Sequence, residues 1–368
     1  MEATFSGGRI LFVDLGATFG GAEIYLESLL RQLPEEFTCH VLCANPELQG
    51  RLAALKVRQF ALPCATGAMK VLQLIAAAGV LPYLLIRHRI QTVQINGYAE
   101  IILIPLSRLL GRRAVATRHL SFEIENDHWH QAPGRFAARF LYRRLARFAT
   151  RIICVSREVG REVSLLIPPE RVTVIPNSVS IIPPYRSRAL PPGSPVQILF
   201  VGRMVENKGL QVLLEAMRLI AAVEGARGLR LTAVGDGQYR TELERRAAGL
   251  DARFVGFQTD VAPFYASADI FVSPSLGPEG SSLVALEAMA HCVPCVLSDL
   301  AVHREISNDG EAAILFRNGD AADLMHKLRV LIDREERRQS YLQAAYSFVL
   351  QHHNPDLAAK AHATAFSW

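Results

Sequence analysis

Several features that would point to other functions are missing from this chain of 368 residues. No stretch reaches the ~20 apolar residues that span a bilayer. The most apolar run, Val71 to Ile86, is interrupted by Gln73, Gly79 and Pro82, and is expected to be a buried helix packed on a sheet. No signal-peptide pattern is present: Arg9 is the first basic residue, and the run behind it, Ile10 to Leu15, contains Asp14. The six cysteines are scattered, which suits a reducing compartment. Cys292-Val293-Pro294-Cys295 follows a predicted helix and enters a predicted strand, whereas a thioredoxin-like pair opens a helix. No second C-x-x-C completes a zinc site, although His291 and His303 are near, so these cysteines read as small buried residues. Internal repeats and low-complexity tracts are also absent. Together these features lead us to expect a cytoplasmic protein.

What is present is a globular composition, half hydrophobic, at a length that gives two domains their own cores. Strand-like runs alternate with helical ones. The first half gives Ile10–Asp14, Cys39–Ala44, Thr92–Ile95, Ala114–Thr117, Ile152–Ser156 and Val172–Ile175. The second gives Gln197–Val201, Arg230–Val234, Arg253–Gly256, Ile270–Ser273, Cys295–Ser298 and Ala313–Phe316. Apolar strands separated by helices predict an α/β fold of parallel sheets covered on both faces. The proline-rich stretch 181–195 lacks periodicity and reads as a linker. It separates a first domain, 1–180, from a second, 196–354, each doubly wound, with a cleft at the carboxyl ends of the strands.

The densest chemistry lies at Glu279 and Glu287, with seven residues between them. Ser281 to Ala290 reads as a short helix with serines suited to its first turn. Glu279 then precedes the helix and Glu287 sits two turns along, roughly 12 Å away at 1.5 Å per residue. The N–H groups and dipole of the helix start form a phosphate site between them. Two solvated carboxylates flanking an ordinary core helix would give the same pattern. Upstream, Val201-Gly202-Arg203 and Lys208-Gly209 lie on a strand-to-helix turn, which sets two cations beside another helix start, suited to an anionic leaving group. This is not a P-loop, because Lys208 precedes Gly209 and no Ser or Thr follows. Val234-Gly235-Asp236-Gly237 also follows a strand, but Arg240 occupies the third glycine position of a dinucleotide fingerprint, which argues against hydride transfer.

With Gly20-Gly21-Ala22-Glu23, Val174-Ile175-Pro176-Asn177, Ala268 to Ser275 and the Glu-x7-Glu pair added, the chain resembles the family 4 retaining glycosyltransferases of the GT-B fold, from about Arg9 to the C-terminus. The resemblance implies two Rossmann-like domains facing across a cleft, the first on the acceptor side. A last helix, about 355–368, is expected to cross back onto the first domain. Arg203 and Lys208 would then bind the donor diphosphate, helped by the N–H groups of Ser281, Ser282 and Leu283. Glu279 would hold hydroxyls of the transferred sugar, Glu287 the ribose, and Phe257 would lie where the base is received. Gly20 and Gly21, and on the other side Gly235 and Gly237, would allow close approach to the nucleotide. His119 would touch the donor sugar; without the resemblance, a lone histidine after a strand is more often structural. The polar cluster Asp127, His128 and His130 lines an acceptor site or a surface loop.

The implied reaction moves a hexose from a UDP- or GDP-sugar to a glycan or polyprenyl-linked acceptor, with retention, in surface polysaccharide or glycolipid synthesis. No Asp-x-Asp motif accompanies the cleft motifs, so neither metal nor cofactor is expected. Ser282 replaces a usual glycine, as does Cys292, and Ala301-Val302 replaces a Gly-Gly pair, which leaves donor choice open. Other readings are a non-catalytic GT-B partner subunit, or a GT-B phosphorylase or sugar-nucleotide epimerase.

Charge is uneven, +7 over residues 1–178 against −2 over the rest. Between Arg135 and Arg157, seven arginines meet no acid. Arg139, Phe140, Arg143, Arg144, Arg147 and Phe148 interleave cations with aromatics on a predicted helix. With Arg108, Arg112 and Arg113 they read as a peripheral contact with an anionic membrane on its inner face, the arginine stems snorkelling. A solvated helix with its apolar side inward is the alternative; a nucleic-acid surface lacks any accompanying motif.

Overall fold

The computed structural model describes residues 7–120, 135–190, 192–223, 228–277 and 279–367. Asp127, His128 and His130 fall outside them, as do the side chains of Arg135 and Arg139. The chain begins β1 (Arg9–Asp14), α1 (Gly21–Gln32), β2 (Thr38–Cys43), α2 (Pro46–Leu52), β3 (Arg58–Ala61), α3 (Met69–Arg87) and β4 (Thr92–Ile95). Then come α4 (Leu103–Leu109), β5 (Arg113–Arg118), α5 (Arg135–Ala146), β6 (Arg151–Cys154), α6 (Arg157–Ser164) and β7 (Val172–Val174). It continues with β8 (Val196–Val201), α7 (Leu210–Ala221), β9 (Leu229–Val234), α8 (Arg240–Arg246), β10 (Ala252–Gly256), α9 (Ala262–Ser267) and β11 (Ile270–Ser273). The remainder is α10 (Leu283–Ala290), β12 (Cys295–Ser298), α11 (Ala301–Ile306), β13 (Ile314–Phe316), α12 (Ala321–Asp333), α13 (Glu335–His352) and α14 (Pro355–Phe366).

Two compact units result: Met1–Asn177 with Pro355–Trp368, and Ser178–Asn354. In the first, seven parallel strands run in the order β3-β2-β1-β4-β5-β6-β7, with Ile10 set opposite both Cys39 and Thr92. The order of the second is β10-β9-β8-β11-β12-β13, with Ile198 opposite both Leu231 and Ile270. Both sheets are wound outward in two directions from one strand, β1 or β8, so each has a switch point: between β1 and β4, and between β8 and β11. Helices cover both faces. In the first unit α3, α4, α5 and α6 share one core with the strands, and α1, α2 and α14 share the other. Hence β4, β11 and β12 are buried along their whole length, and β11 and β12 read as apolar runs rather than alternating ones.

The predicted strands lie within two residues of the observed ones. The strand that the apolar pattern does not mark is β3, Arg58-Gln59-Phe60-Ala61. It pairs on one side only, at the sheet edge, and none of its side chains is fully buried, so nothing selects an apolar run there. Two expectations are corrected. The helix before Glu287 begins at Leu283, not Ser281, so both serines lie ahead of its first turn. The α3 helix is not a buried one: Ala77, Leu81, Leu84 and Leu85 face the core, but Val71, Leu72, Ile75, Tyr83 and Ile86 face outward. Stretch 181–195, expected to be a linker, is irregular from 181 to 190 as its prolines require, yet it is tied down. Arg188 donates to the carbonyls of Tyr265, Ala266, Ala268 and His291, at 2.6–3.1 Å, and Tyr346 Oη donates to Pro183 O at 2.9 Å. It is a strap on the second unit.

Gly209, at φ +70°, lets the turn after β8 close on the loop after β11: a Cβ there would stand 1.8 Å from the Pro274 carbonyl oxygen. Gly249, at φ +81°, has open space around it. Gly249→Ala should cost only the left-handed strain, about 1–2 kcal/mol. Gly209→Ala should cost clearly more in urea melts. Equal losses would mean that the two loops are not held in contact.

Candidate active site

In the second unit the switch point is bridged by an ion pair. Lys208 ends the 3-10 turn Glu206–Lys208 after β8, and Glu279 lies on the loop after β11. Lys208 Nζ stands 2.8 Å from Glu279 Oε1. Ser275 Oγ donates a short hydrogen bond to the same oxygen. Burial alone would raise the Glu279 carboxyl, but the Lys208 charge, the nearby His303 and these two hydrogen bonds outweigh it and hold it at about 2. Glu279 is therefore a fixed carboxylate, able to accept hydrogen bonds from hydroxyls. Beneath it, Ser298 Oγ donates to Ser275 O at 2.7 Å. His303 is fully buried, its Nδ1 2.8 Å from Ser298 O. That contact requires Nδ1–H, so Nε2 carries the lone pair, and it has no hydrogen-bond partner among the described residues. Burial lowers the basicity of His303, the Glu279 charge opposing it.

Backbone hydrogen bonds lace the neighbouring turns together. Met204 N donates to Asp236 O at 2.8 Å, Leu276 N to Asn207 O at 2.8 Å, and Gly235 N to Gly256 O at 2.8 Å. Gly235 and Gly237 have a structural cause of their own: a Cβ on either would stand 2.0 Å from Gly202 O or 2.4 Å from Met204 O. Arg203 is exposed on the turn after β8, and Phe257, 54 % exposed, follows β10. Ser282 stands at the N-cap of α10 without capping it. Its Oγ is buried and has no hydrogen-bond partner among the described residues, ahead of N–H groups that the first turn cannot satisfy. Glu287 is the one charged residue of α10. Burial raises its carboxyl, and the hydrogen bond from Tyr265 Oη, at 2.9 Å, opposes this.

The first unit has its own bridge across the β1/β4 switch point. Asn96 Nδ2 donates to Asp14 Oδ2 at 2.7 Å, and His119 Nε2 lies 2.8 Å from Asn96 Oδ1. An amide oxygen accepts, so Nε2 carries the proton and Nδ1 is the free base. Burial, with Arg118 and His362 beside it, pushes His119 down to about 3. Its ring packs edge-on against Tyr25, 4.8 Å between centroids, and Tyr25 Oη donates to His362 Nε2 at 2.6 Å. In this way α14 fixes the ring that touches His119. Gly20 donates its N–H to Glu23 Oε2 at 2.8 Å, and a Cβ on Gly20 would meet nothing nearer than that carboxylate, at 3.7 Å. Unlike Gly235, it is not required by the packing of its own unit. Gly21 opens α1.

Of the residues singled out from the sequence, Arg203, Lys208, Glu279, Ser281, Ser282, Leu283, Glu287, Gly235, Gly237 and Phe257 lie on the second unit, and Gly20, Gly21 and His119 on the first. Sequence reasoning missed Tyr265, Ser275, Asn96, Asp14 and Glu23 as partners. Only Glu23 carried a signal, standing three residues after Gly20 as a capping-box acid does. Ser298 and His303 join through the imidazole, while exposed Arg304 pairs with half-buried Asp299 at 2.6 Å. Cys292, at φ +56°, and Cys295 are unpaired thiols, both buried.

The first unit also buries three carboxylates, Asp14, Glu23 and Glu100, against one ammonium, Lys70, which stands 2.8 Å from Glu100. Burial, then the Asp14 charge, raises Glu23 to about 7, above its ordinary 4.5. Between those values the folded state keeps a proton that the unfolded chain has lost, so stability falls as pH rises through that window. Glu23→Gln, which still accepts from Gly20 N–H, should match wild type near pH 5 and melt higher at pH 8. Identical melting at both pH values would mean that the carboxyl ionises without penalty.

Residues 19–181 match the family described as Glycosyltransferase Family 4, and residues 195–334 that described as Glycosyl transferases group 1. The chain is similar to a phosphatidyl-myo-inositol mannosyltransferase of Mycobacterium leprae, 37% identical over 152 residues, 40% of each chain. It is similar also to a 2-deoxystreptamine N-acetyl-D-glucosaminyltransferase of Streptomyces fradiae, 30% identical over 243 residues, 61% of this chain and 56% of the relative. The matches span about half or less of the first curated relatives, from 34% to 53% of their lengths. Among solved structures, Anabaena HepE in complex with UDP and glucose superposes with a TM-score of 0.81 at 18% identity, over 98% of this chain and 99% of that one.

Proposed function

We propose that this chain, which belongs to glycosyltransferase family 4 and has its two-domain GT-B fold, transfers a hexose with retention from a UDP- or GDP-sugar to a glycan or lipid-linked acceptor. The observation that carries this reading is the Lys208–Glu279 pair across the second switch point, the place where open parallel sheets receive ligands. In the proposal the diphosphate lies at Arg203, Lys208 and the start of α10. Phosphate oxygens draw on Lys208 while Glu279, already ionised, accepts from the sugar hydroxyls. Glu287, held by Tyr265, takes the ribose hydroxyls. As the bond from the anomeric carbon to phosphate breaks, the acceptor oxygen bonds to that carbon on the same face. The acceptor proton passes to the departing phosphate oxygen. The two cations and the helix start stabilise the growing charge. His119, neutral and fixed by Asn96, serves the donor sugar.

A lipid acceptor is supported by relatives named for phosphatidylinositol substrates. The proposal places the protein in the cytoplasm, at the inner face of the membrane. In α5, Phe140 is exposed with the Arg144 guanidinium 5.0 Å above its ring, an arrangement that suits an anionic headgroup layer.

Arg203→Ala and Lys208→Ala should each lower turnover about a hundred- to a thousand-fold, the equivalent of about 2.7–4 kcal/mol. Near-normal rates in both would remove the diphosphate role. A thermal-shift screen of UDP-, GDP- and ADP-sugars separates a donor-using enzyme from a silent partner subunit, for which no nucleotide would raise the melting temperature.

The two glutamates should separate in calorimetry with bare UDP or GDP. Glu287→Ala loses a charged acceptor, about 1.5–3 kcal/mol per hydrogen bond, and should weaken binding at least tenfold. Glu279→Ala should spare nucleotide affinity and abolish transfer. Equal losses would reject this division.

A further inference from the structure

The outer surface of α3 inverts the usual pattern of a surface helix. From Val71 to Ile86 no charged residue occurs. The one amide in that run, Gln73, points inward, where Nε2 donates to Pro63 O at 2.6 Å. The residues that face out are apolar. Leu72, Ile75, Tyr83 and Ile86, with Gly79 between them, follow steps of three and four along one face. Each large side chain among them is 57–69% exposed. The opposite stripe, Ala77, Leu81, Leu84 and Leu85, is 0–1% exposed and locked into the core. The helix therefore cannot leave its sheet to cross a bilayer. A stripe about 20 Å long, at 1.5 Å per residue from Leu72 to Ile86, is left uncovered by the described residues.

The charge around it selects the occupant. From residue 48 to 122 the chain has ten Lys and Arg but a single acid, Glu100, which is 2% exposed and paired with Lys70. The whole segment thus presents no carboxylate to solvent among the described residues. Arg87 and Arg89 stand exposed at the C-terminal end of α3. Helices α4 and α5 share the α3 face of the sheet. They add exposed Leu109, Phe140, Leu141 and Phe148 beside exposed Arg108, Arg143, Arg144 and Arg147. An apolar stripe rimmed by cations fits a negatively charged bilayer surface, with the stripe at the acyl boundary and the guanidinium groups among the headgroups. A second copy of this chain would bring the same positive rim against itself.

We infer that α3 lies in the plane of an anionic membrane and inserts its outer apolar face, so that binding has an apolar contribution as well as an arginine one. This rests on the reading of a membrane-bound acceptor and adds to it the element that enters the lipid. The test compares wild type, the triple variant Leu72→Gln/Ile75→Gln/Ile86→Gln, and Arg143→Gln/Arg144→Gln on vesicles of phosphatidylcholine with or without phosphatidylglycerol. All these positions are exposed, and UDP and GDP calorimetry with wild-type melting checks folding. The triple variant should bind anionic vesicles at least tenfold more weakly at low salt, with nucleotide affinity unchanged. Wild-type binding should keep a salt-resistant remainder that the triple variant lacks. Tyrosine 83 replaced by tryptophan, Tyr83→Trp, should be quenched by lipids brominated along the acyl chain. If wild type binds anionic vesicles and the triple variant binds equally, the insertion is overturned while the membrane reading stands. If wild type ignores both vesicles, both fall, and neither result touches nucleotide binding. Conversion of a dimer to a monomer by the triple variant, without effect on vesicles, would assign the face to a second copy instead.

Discussion

The constraint on which both units depend is the parallel pairing of one strand with neighbours on either side that continue in opposite directions. Strand β8 pairs with β9 and β11, and β1 with β2 and β4. Right-handed crossovers then send one set of helices to each face. Loops that leave neighbouring strands diverge, and a crevice opens at the carboxyl ends. In each unit a polar pair bridges that crevice: Lys208 with Glu279, and Asn96 with Asp14. The chemistry sits where the topology leaves space and where helix starts turn N–H groups toward it.

The two bridges differ in kind, and burial explains the difference. Glu279 accepts from one ammonium, Lys208, and one hydroxyl, Ser275, so it remains ionised although its side chain is buried. Asp14 and Glu23 share their space with a third carboxylate whose one cation is already engaged, so burial pushes both upward. A permanent anion suits the grip on sugar hydroxyls proposed for Glu279. The Glu23 carboxyl, raised to about 7, is the group of the first unit whose burial gives stability a pH dependence.

Below these sites the packing is conventional, except at α3. A helix of a soluble α/β domain buries one stripe and solvates the other. In α3 both stripes are apolar, and the only amide is used internally. The sequence expectation of a buried helix failed here because hydropathy counts residues and does not see how many sides of a helix the fold covers. One sheet face covers only one side.

Much of the architecture was legible in the chain. Period and composition were enough for twelve strands because buried parallel strands are largely apolar, and β3 escaped because an edge strand has no need to be. Gly209, Lys208, Glu279 and Glu287 could be picked out because turns, helix starts and carboxylates have local signatures. What only the tertiary structure decided are the partners: Tyr265 for Glu287, Ser275 for Glu279, Asn96 for His119 and His362 for Tyr25. The strap role of Arg188 and the outward face of α3 belong to the same class. Local signals come from the backbone within a few residues and are written in the order of the chain. Hydrogen bonds between residues up to 337 positions apart, and the uncovered side of a helix, exist only once the sheets have brought distant segments together.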